Sequence, residues 1–161
     1  MEKIYSKIKP DKLLHLVHRL DEIESLPTED GLARTNVAPD DEFLQLATLR
    51  MDKGRTFKAH KHIYKLGEKH VIAQESWVVI KGSVKATLYD LDDSILDTVV
   101  LGAGDCSMTF EGGHNYVIQE DNTVVYEYKT GPYKGVENDK VFMKWALNLS
   151  QNLKVRLRTF L

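Results

Sequence analysis

The segment from residue 54 to residue 82, GRTFKAHKHIYKLGEKHVIAQESWVVIKG, sets two histidines one residue apart between a glycine turn and a second glycine turn. Consecutive residues of a β-strand point to opposite faces, so His60 and His62 share one face and can grip a single metal ion. A divalent transition metal needs neutral imidazoles, and in many sites a carboxylate, converging from a rigid support with a position left open for water or substrate. The histidine pair supplies two such ligands. Hydrogen bonding of both rings inside the fold is the plainer alternative.

Outward from this segment, the chain beyond Asp41 reads as short strands. EFLQLATLRM, TFKAHKHIY, ESWVVIKG and SVKATLYDL alternate in character and are bounded by glycine or charged turn residues. Asp90–Ser94 (DLDDS) reads as a hairpin tip whose partner strand is ILDTVVL, and NTVVYEYK is the last clear strand. Short strands at close intervals without long helical patterns between them predict an antiparallel all-β sandwich or barrel. Two helical patterns bracket it. Leu13, Leu16, Val17, Leu20 and Ile23 follow helical spacing after Pro10, and Phe142, Ala146, Leu149, Leu153, Leu157 and Phe160 do so at the other end, with Asn138 or Asp139 as a cap. The expected organisation is an N-terminal helix and connecting loop over residues 1–40, a β-barrel over 41–133 and a C-terminal helix over 134–161. That last helix would pack on the barrel or at a dimer contact.

Five residues separate Gly54 from His60 and six separate Glu75 from Gly82, and these are the spacings of the first motif of the cupin family, which the chain resembles. The resemblance implies a double-stranded β-helix barrel with a metal in its mouth, held by His60, His62, a carboxylate and a later histidine. Twelve residues lie between His62 and Glu75, where the family has three or four. A longer hairpin over residues 64–74 accounts for the difference, since loop length costs free energy only logarithmically. Glu75 is the favoured carboxylate, with Glu68 and Gln74 as rivals. Of the second cupin motif, Gly102, Gly104 and His114 survive, with Gly112-Gly113 just before the histidine. His114 is the natural third imidazole. Cys106 and Met108, on one face of the preceding strand, read as barrel filling.

A narrower resemblance runs over most of residues 34–146. Arg34-Thr35-Asn36, a glutamate in the last strand, Gly131-Pro132-Tyr133 and Asp139-Lys140 ahead of a phenylalanine and Trp145-Ala146 look like the WbuC-type cupin-fold metalloproteins, found with genes for surface-polysaccharide synthesis. No established reaction comes with that likeness. Strand parity puts Lys58, Tyr64, Trp77 and Lys81 on the faces of the ligands, and polar and aromatic groups beside an open metal position suit an oxygen-rich ligand. The reading is a metal-binding cupin acting on or binding a carbohydrate-derived small molecule, as an isomerase or epimerase with Glu75 or Tyr64 handling protons. The alternatives are a non-haem iron dioxygenase and a non-catalytic sensor. Zinc, iron, nickel and manganese all fit the ligand types.

With 22 basic and 24 acidic side chains in 161 residues, nothing advertises nucleic-acid or membrane-surface binding. The single cysteine excludes an internal disulfide framework. The N-terminus has no apolar run of signal-peptide length. A cytoplasmic homodimer is the expectation.

Overall fold

The computed structural model describes residues 1–64 and 72–143. Among these, β4 (Leu44–Met51), β5 (His60–His62), β6 (Glu75–Lys81), β7 (Ser83–Tyr89), β8 (Ile95–Gly102), β9 (Cys106–Thr109), β10 (Gly113–Ile118) and β11 (Thr123–Thr130) make up the expected antiparallel strands. β3 (Leu32–Asn36) and β12 (Lys140–Phe142) extend them into two five-stranded sheets, ordered β12-β5-β10-β7-β8 and β3-β4-β11-β6-β9. Alternation decides which side faces in. Along β6, Glu75, Trp77 and Val79 are buried while Ser76, Val78 and Ile80 are less so. The main core lies between the sheets, where Leu49, Met51, Trp77 and Val79 of one meet Val84, Ala86, Tyr116 and Ile118 of the other. Burial of such side chains is worth roughly 1.5–3 kcal/mol each.

The N-terminal segment departs from the helical expectation. β1 (Glu2–Tyr5) and β2 (Leu13–Val17) form an antiparallel hairpin, and only Leu20–Glu24 is helical (α1). The run LLHLV satisfies either period, and a strand partner only a few residues upstream settles it. The reversal is stabilised by Ser6, whose Oγ accepts hydrogen bonds from the backbone N–H groups of Ile8 and Lys9, so that Pro10 sits in a turn instead of starting a helix. Ile23 is still buried, against Ala33 and Val124. The connecting loop expected before residue 41 contains β3. The tight turn ahead of it, Asp30-Gly31 with both residues at positive φ, closes a Glu29–Leu32 bridge.

At the other end, Val136–Asn138 is a single 3₁₀ turn and Phe142 lies in β12, so the expected helix does not begin at those residues. The rest of that helix falls outside the described residues. So does the tip of the 64–74 hairpin, although the Tyr64–Ile72 bridge shows its two arms pairing. Among the described residues no helix is long and apolar enough to cross a membrane.

Gly82, the last residue of the opening segment, joins β6 to β7 at φ 79°, and a Cβ there would lie 2.3 Å from Thr123 Oγ1 and 3.0 Å from Thr123 Cα. Left-handed backbone costs a side chain about 1–2 kcal/mol, and overpacking adds about 1–3. Gly82→Ala should therefore lose roughly 2–5 kcal/mol in urea denaturation, and a loss below about 0.5 kcal/mol would contradict the turn geometry.

Candidate metal centre

His60 and His62 leave β5 on its inner face, His114 stands directly across on β10 in register with His60, and Glu75 opens β6 on the facing sheet. One donor atom from each of the four lies within 4.8 Å of the others, and all four residues are buried. His60 Nε2 is 3.1 Å from His114 Nε2, His114 Nε2 is 3.2 Å from Glu75 Oε1, and His62 Nε2 is 3.3 Å from Glu75 Oε2. The approach of β10 depends on Gly112, which has φ 85° and whose Cβ would sit 2.6 Å from the backbone oxygen of Tyr89.

The surrounding groups orient these rings. His60 Nδ1 is 2.9 Å from the Lys58 carbonyl, which can only accept, so the proton is on Nδ1 and the Nε2 lone pair points into the cluster. Burial, then the charge of Lys140 and the neighbouring His114, push the His60 imidazole down to about 3, which keeps it neutral at neutral pH. His114 Nδ1 lies 2.9 Å from Thr109 Oγ1, a hydroxyl able to donate or accept and therefore compatible with either tautomer of that ring. Thr109 also pairs with Glu75 across β9 and β6, so one residue ties both sides of the cluster together. Glu75 Oε1 accepts from Trp77 Nε1 at 3.1 Å. Burial pushes the Glu75 carboxyl up, but the His114 and His62 imidazoles outweigh it and hold it well below the usual carboxylate range.

The protein alone does not satisfy this cluster. Both ring nitrogens of His62 and Oε2 of Glu75 are buried without a well-directed hydrogen bond: His62 Nε2 and Glu75 Oε2 face each other at 3.3 Å, and His62 Nδ1 lies 3.7 Å from Asp139 Oδ2. Each orphaned buried polar atom costs about 1–3 kcal/mol. A cation accepting the lone pairs of His62 Nε2 and Glu75 Oε2 would satisfy two of the three, so the donor set fits a divalent transition metal.

A cavity of about 200 Å³ opens onto His60 and Glu75. Phe57, Trp77 and Tyr116 line it, and Arg34, Asn36, Asp40, Glu127, Lys129, Tyr133 and Lys140 are among its other lining residues. Trp77 and Tyr116 stack with centroids 4.1 Å apart, and the Tyr116 hydroxyl is 2.8 Å from Ser107 Oγ. Burial first, then Glu75, raises the Tyr116 phenol above its ordinary range, so it stays protonated. Arg34 donates to both carboxylate oxygens of Glu127, at 2.7 and 3.3 Å, and to Asn36 Oδ1 at 3.0 Å.

Of the expected residues, the structure therefore gathers His60, His62, Glu75 and His114. Gln74 precedes β6, where the buried position at the head of the strand belongs to Glu75. Glu68 falls outside the described residues. Tyr64 is 55% exposed and absent from the cavity wall, because regular pairing of β5 stops at His62. Lys58 faces the Phe142 ring, Lys81 pairs with Glu24, and Trp77 of the parity set donates to Glu75. Cys106 and Met108 are exposed instead of filling the barrel, because Ser107 and Thr109 pair with Trp77 and Glu75 and share their inward face. The site roles of Asp139, Lys140 and Lys129 were not read from the sequence. The signal for Lys140 is its register with His62 across β12 and β5, which only the fold reveals.

No family model and no curated protein matches the sequence. Solved structures do. The capsular polysaccharide assembling protein CapF from Staphylococcus aureus aligns with TM-score 0.60 and 15% identity over 73% of this chain and 33% of its own. KdgF from Halomonas sp. aligns with TM-score 0.52 and 20% identity over 68% of this chain and 86% of its own. An RmlC-like cupin from Desulfovibrio desulfuricans aligns with TM-score 0.53 and 14% identity over 73% of this chain and 97% of its own. Two facing antiparallel sheets, an inward His-x-His strand and these structural likenesses agree: the chain is a cupin-fold protein.

Proposed function

We propose that the protein is a metal-dependent cupin that binds or transforms a carbohydrate-derived small molecule, as an isomerase or epimerase. The observation that carries this reading is the convergence of His60, His62, Glu75 and His114 donors within 4.8 Å, with unsatisfied buried lone pairs beside an open cavity. These four residues would hold the ion, zinc, iron, nickel or manganese. Bound there, a divalent cation supplies Lewis-acid polarisation of a carbonyl or hydroxyl oxygen. Glu75, engaged by Trp77 and His114, serves as a ligand rather than as a free base. Proton transfer then falls to the cavity wall, where Tyr133 and Lys140 carry the available hydroxyl and ammonium.

Three things support the carbohydrate part. The wall mixes aromatic and hydrogen-bonding side chains, five residues of the WbuC-type resemblance (Arg34, Asn36, Glu127, Tyr133, Lys140) line it, and CapF is named for capsular polysaccharide assembly, although this chain spans only a third of CapF. A homodimer in the cytoplasm belongs to the same reading, with Ile95, Leu96, Val100 and Met108 of the edge strands β8 and β9 as exposed apolar surface. The test is metal analysis of the purified protein followed by a thermal-shift screen of sugars and nucleotide sugars on the metal-loaded form. One ion per chain and a sugar that raises Tm are expected. Absence of metal after loading with each of the four ions would exclude the reading.

A further inference from the structure

Among the described residues of the cavity wall, Lys140 is the cation that no carboxylate neutralises. Arg34 is bound by both oxygens of Glu127 at 2.7 and 3.3 Å. Lys129 lies 3.5 Å from Asp139 Oδ2 and 4.1 Å from the centre of the Tyr133 ring. Lys140 projects from β12, in register with His62, and its Nζ reaches His60 Nε2 at 3.2 Å. That nitrogen has one lone pair to give, because its ring partner Nδ1 is committed as a donor to the Lys58 carbonyl. A metal ion and the Lys140 ammonium therefore compete for the same electrons. Were His60 Nε2 to bind a metal, the Lys140 ammonium would lose this partner beside a divalent charge, and like charges at short range repel strongly.

We infer that Lys140 completes an anion subsite on the cavity side of the metal, and that the ligand carries a carboxylate whose oxygens answer both the metal and the Lys140 ammonium. This rests on the metal reading above and narrows its ligand class to sugar acids and related hydroxy acids. A carboxylate restores the donor balance that metal binding upsets, whereas a neutral hydroxyl leaves both positive charges uncompensated. The cavity volume, about 200 Å³, sets the size. It lies below the roughly 300–1,000 Å³ of sites for drug-sized ligands, which suits an acid of monosaccharide size or smaller.

The experiment is calorimetric titration of the metal-loaded protein with D-glucuronate, glycolate, D-glucose and inorganic phosphate, on wild type, Lys140→Met and Lys140→Arg. Wild type should bind the two acids at least ~10-fold more tightly than glucose. Lys140→Met should weaken acid binding at least ~10-fold, and Lys140→Arg should recover most of it. Metal affinity, measured by competition with a chromophoric chelator, should rise in Lys140→Met, because the competitor for the His60 lone pair is gone. A residue that merely supported the fold would lower it. Unchanged glucuronate affinity in Lys140→Met, or glucose binding as tight as glucuronate, overturns the inference while leaving the metal centre standing. Phosphate binding tighter than both acids overturns the carboxylate assignment. Failure of wild type to hold metal overturns the inference together with the reading beneath it.

Discussion

Alanine at both His60 and His62 should take bound metal from one ion per chain to near zero while the barrel stays folded. The two imidazoles supply half of the converging donors and come from one strand, so neither His114 nor Glu75 can hold an ion in their absence. Folding does not depend on them, because the main apolar core is built from other side chains, with Leu49, Trp77, Val79 and Tyr116 among the most buried. In the metal-free protein the substitution removes packing but also removes two orphaned ring nitrogens of His62. The two effects oppose each other, and the metal-free variant should lie within about 1–2 kcal/mol of metal-free wild type. The large difference appears on loading. Metal at a thousand times its Kd stabilises the wild type by about 4 kcal/mol and the double variant not at all. Elemental analysis and denaturation with and without metal measure both quantities, and a double variant that keeps a stoichiometric ion would refute the ligand assignment.

Strand parity and the cupin spacings, which also mark His114, make the donor cluster of this site legible in the sequence. Two residues apart on one strand is a local statement, so His60 and His62 were legible together, and the glycine spacing tied them to Glu75. Parity failed wherever it had to be carried across a turn. Tyr64 is two residues past His62, yet β5 has already ended and the ring is exposed. Parity within β9 alone groups Met108 with Cys106 but leaves open which face they take, and the β6–β9 register turns Ser107 and Thr109 inward instead. The N-terminal segment misled for another reason: LLHLV fits a period of 3.6 as well as a period of 2, and tertiary pairing with β1 decided between them. Asp30-Gly31 did carry a hairpin signal and would have exposed β3. Lys140 stands in the sequence only as part of the WbuC-type resemblance, and no local period shows its closeness to His60, which arises from a strand that joins the sheet eighty residues later.

Trp77 links the stability of the fold to the chemistry of the site, and two substitutions separate these roles. The side chain is 2% exposed, stacks on Tyr116 and meets Phe57 edge-on at 5.5 Å, while its Nε1 donates to Glu75 Oε1. Trp77→Ala removes all of this and should cost about 3–5 kcal/mol, the range for deleting a large aromatic from a packed core. Trp77→Phe keeps an aromatic ring against Tyr116 and loses the indole N–H, so its cost in stability should be at most about 2 kcal/mol. Its cost in metal affinity should be larger in proportion. The indole proton holds Oε1 and so directs Oε2 toward His62, and loss of such an orienting partner lowers metal affinity by about 10–100-fold. Chemical denaturation of the metal-free proteins gives the first quantity and chelator competition the second. If Trp77→Phe binds metal as tightly as wild type, then His114 alone orients Glu75, and the contribution of Trp77 is confined to packing.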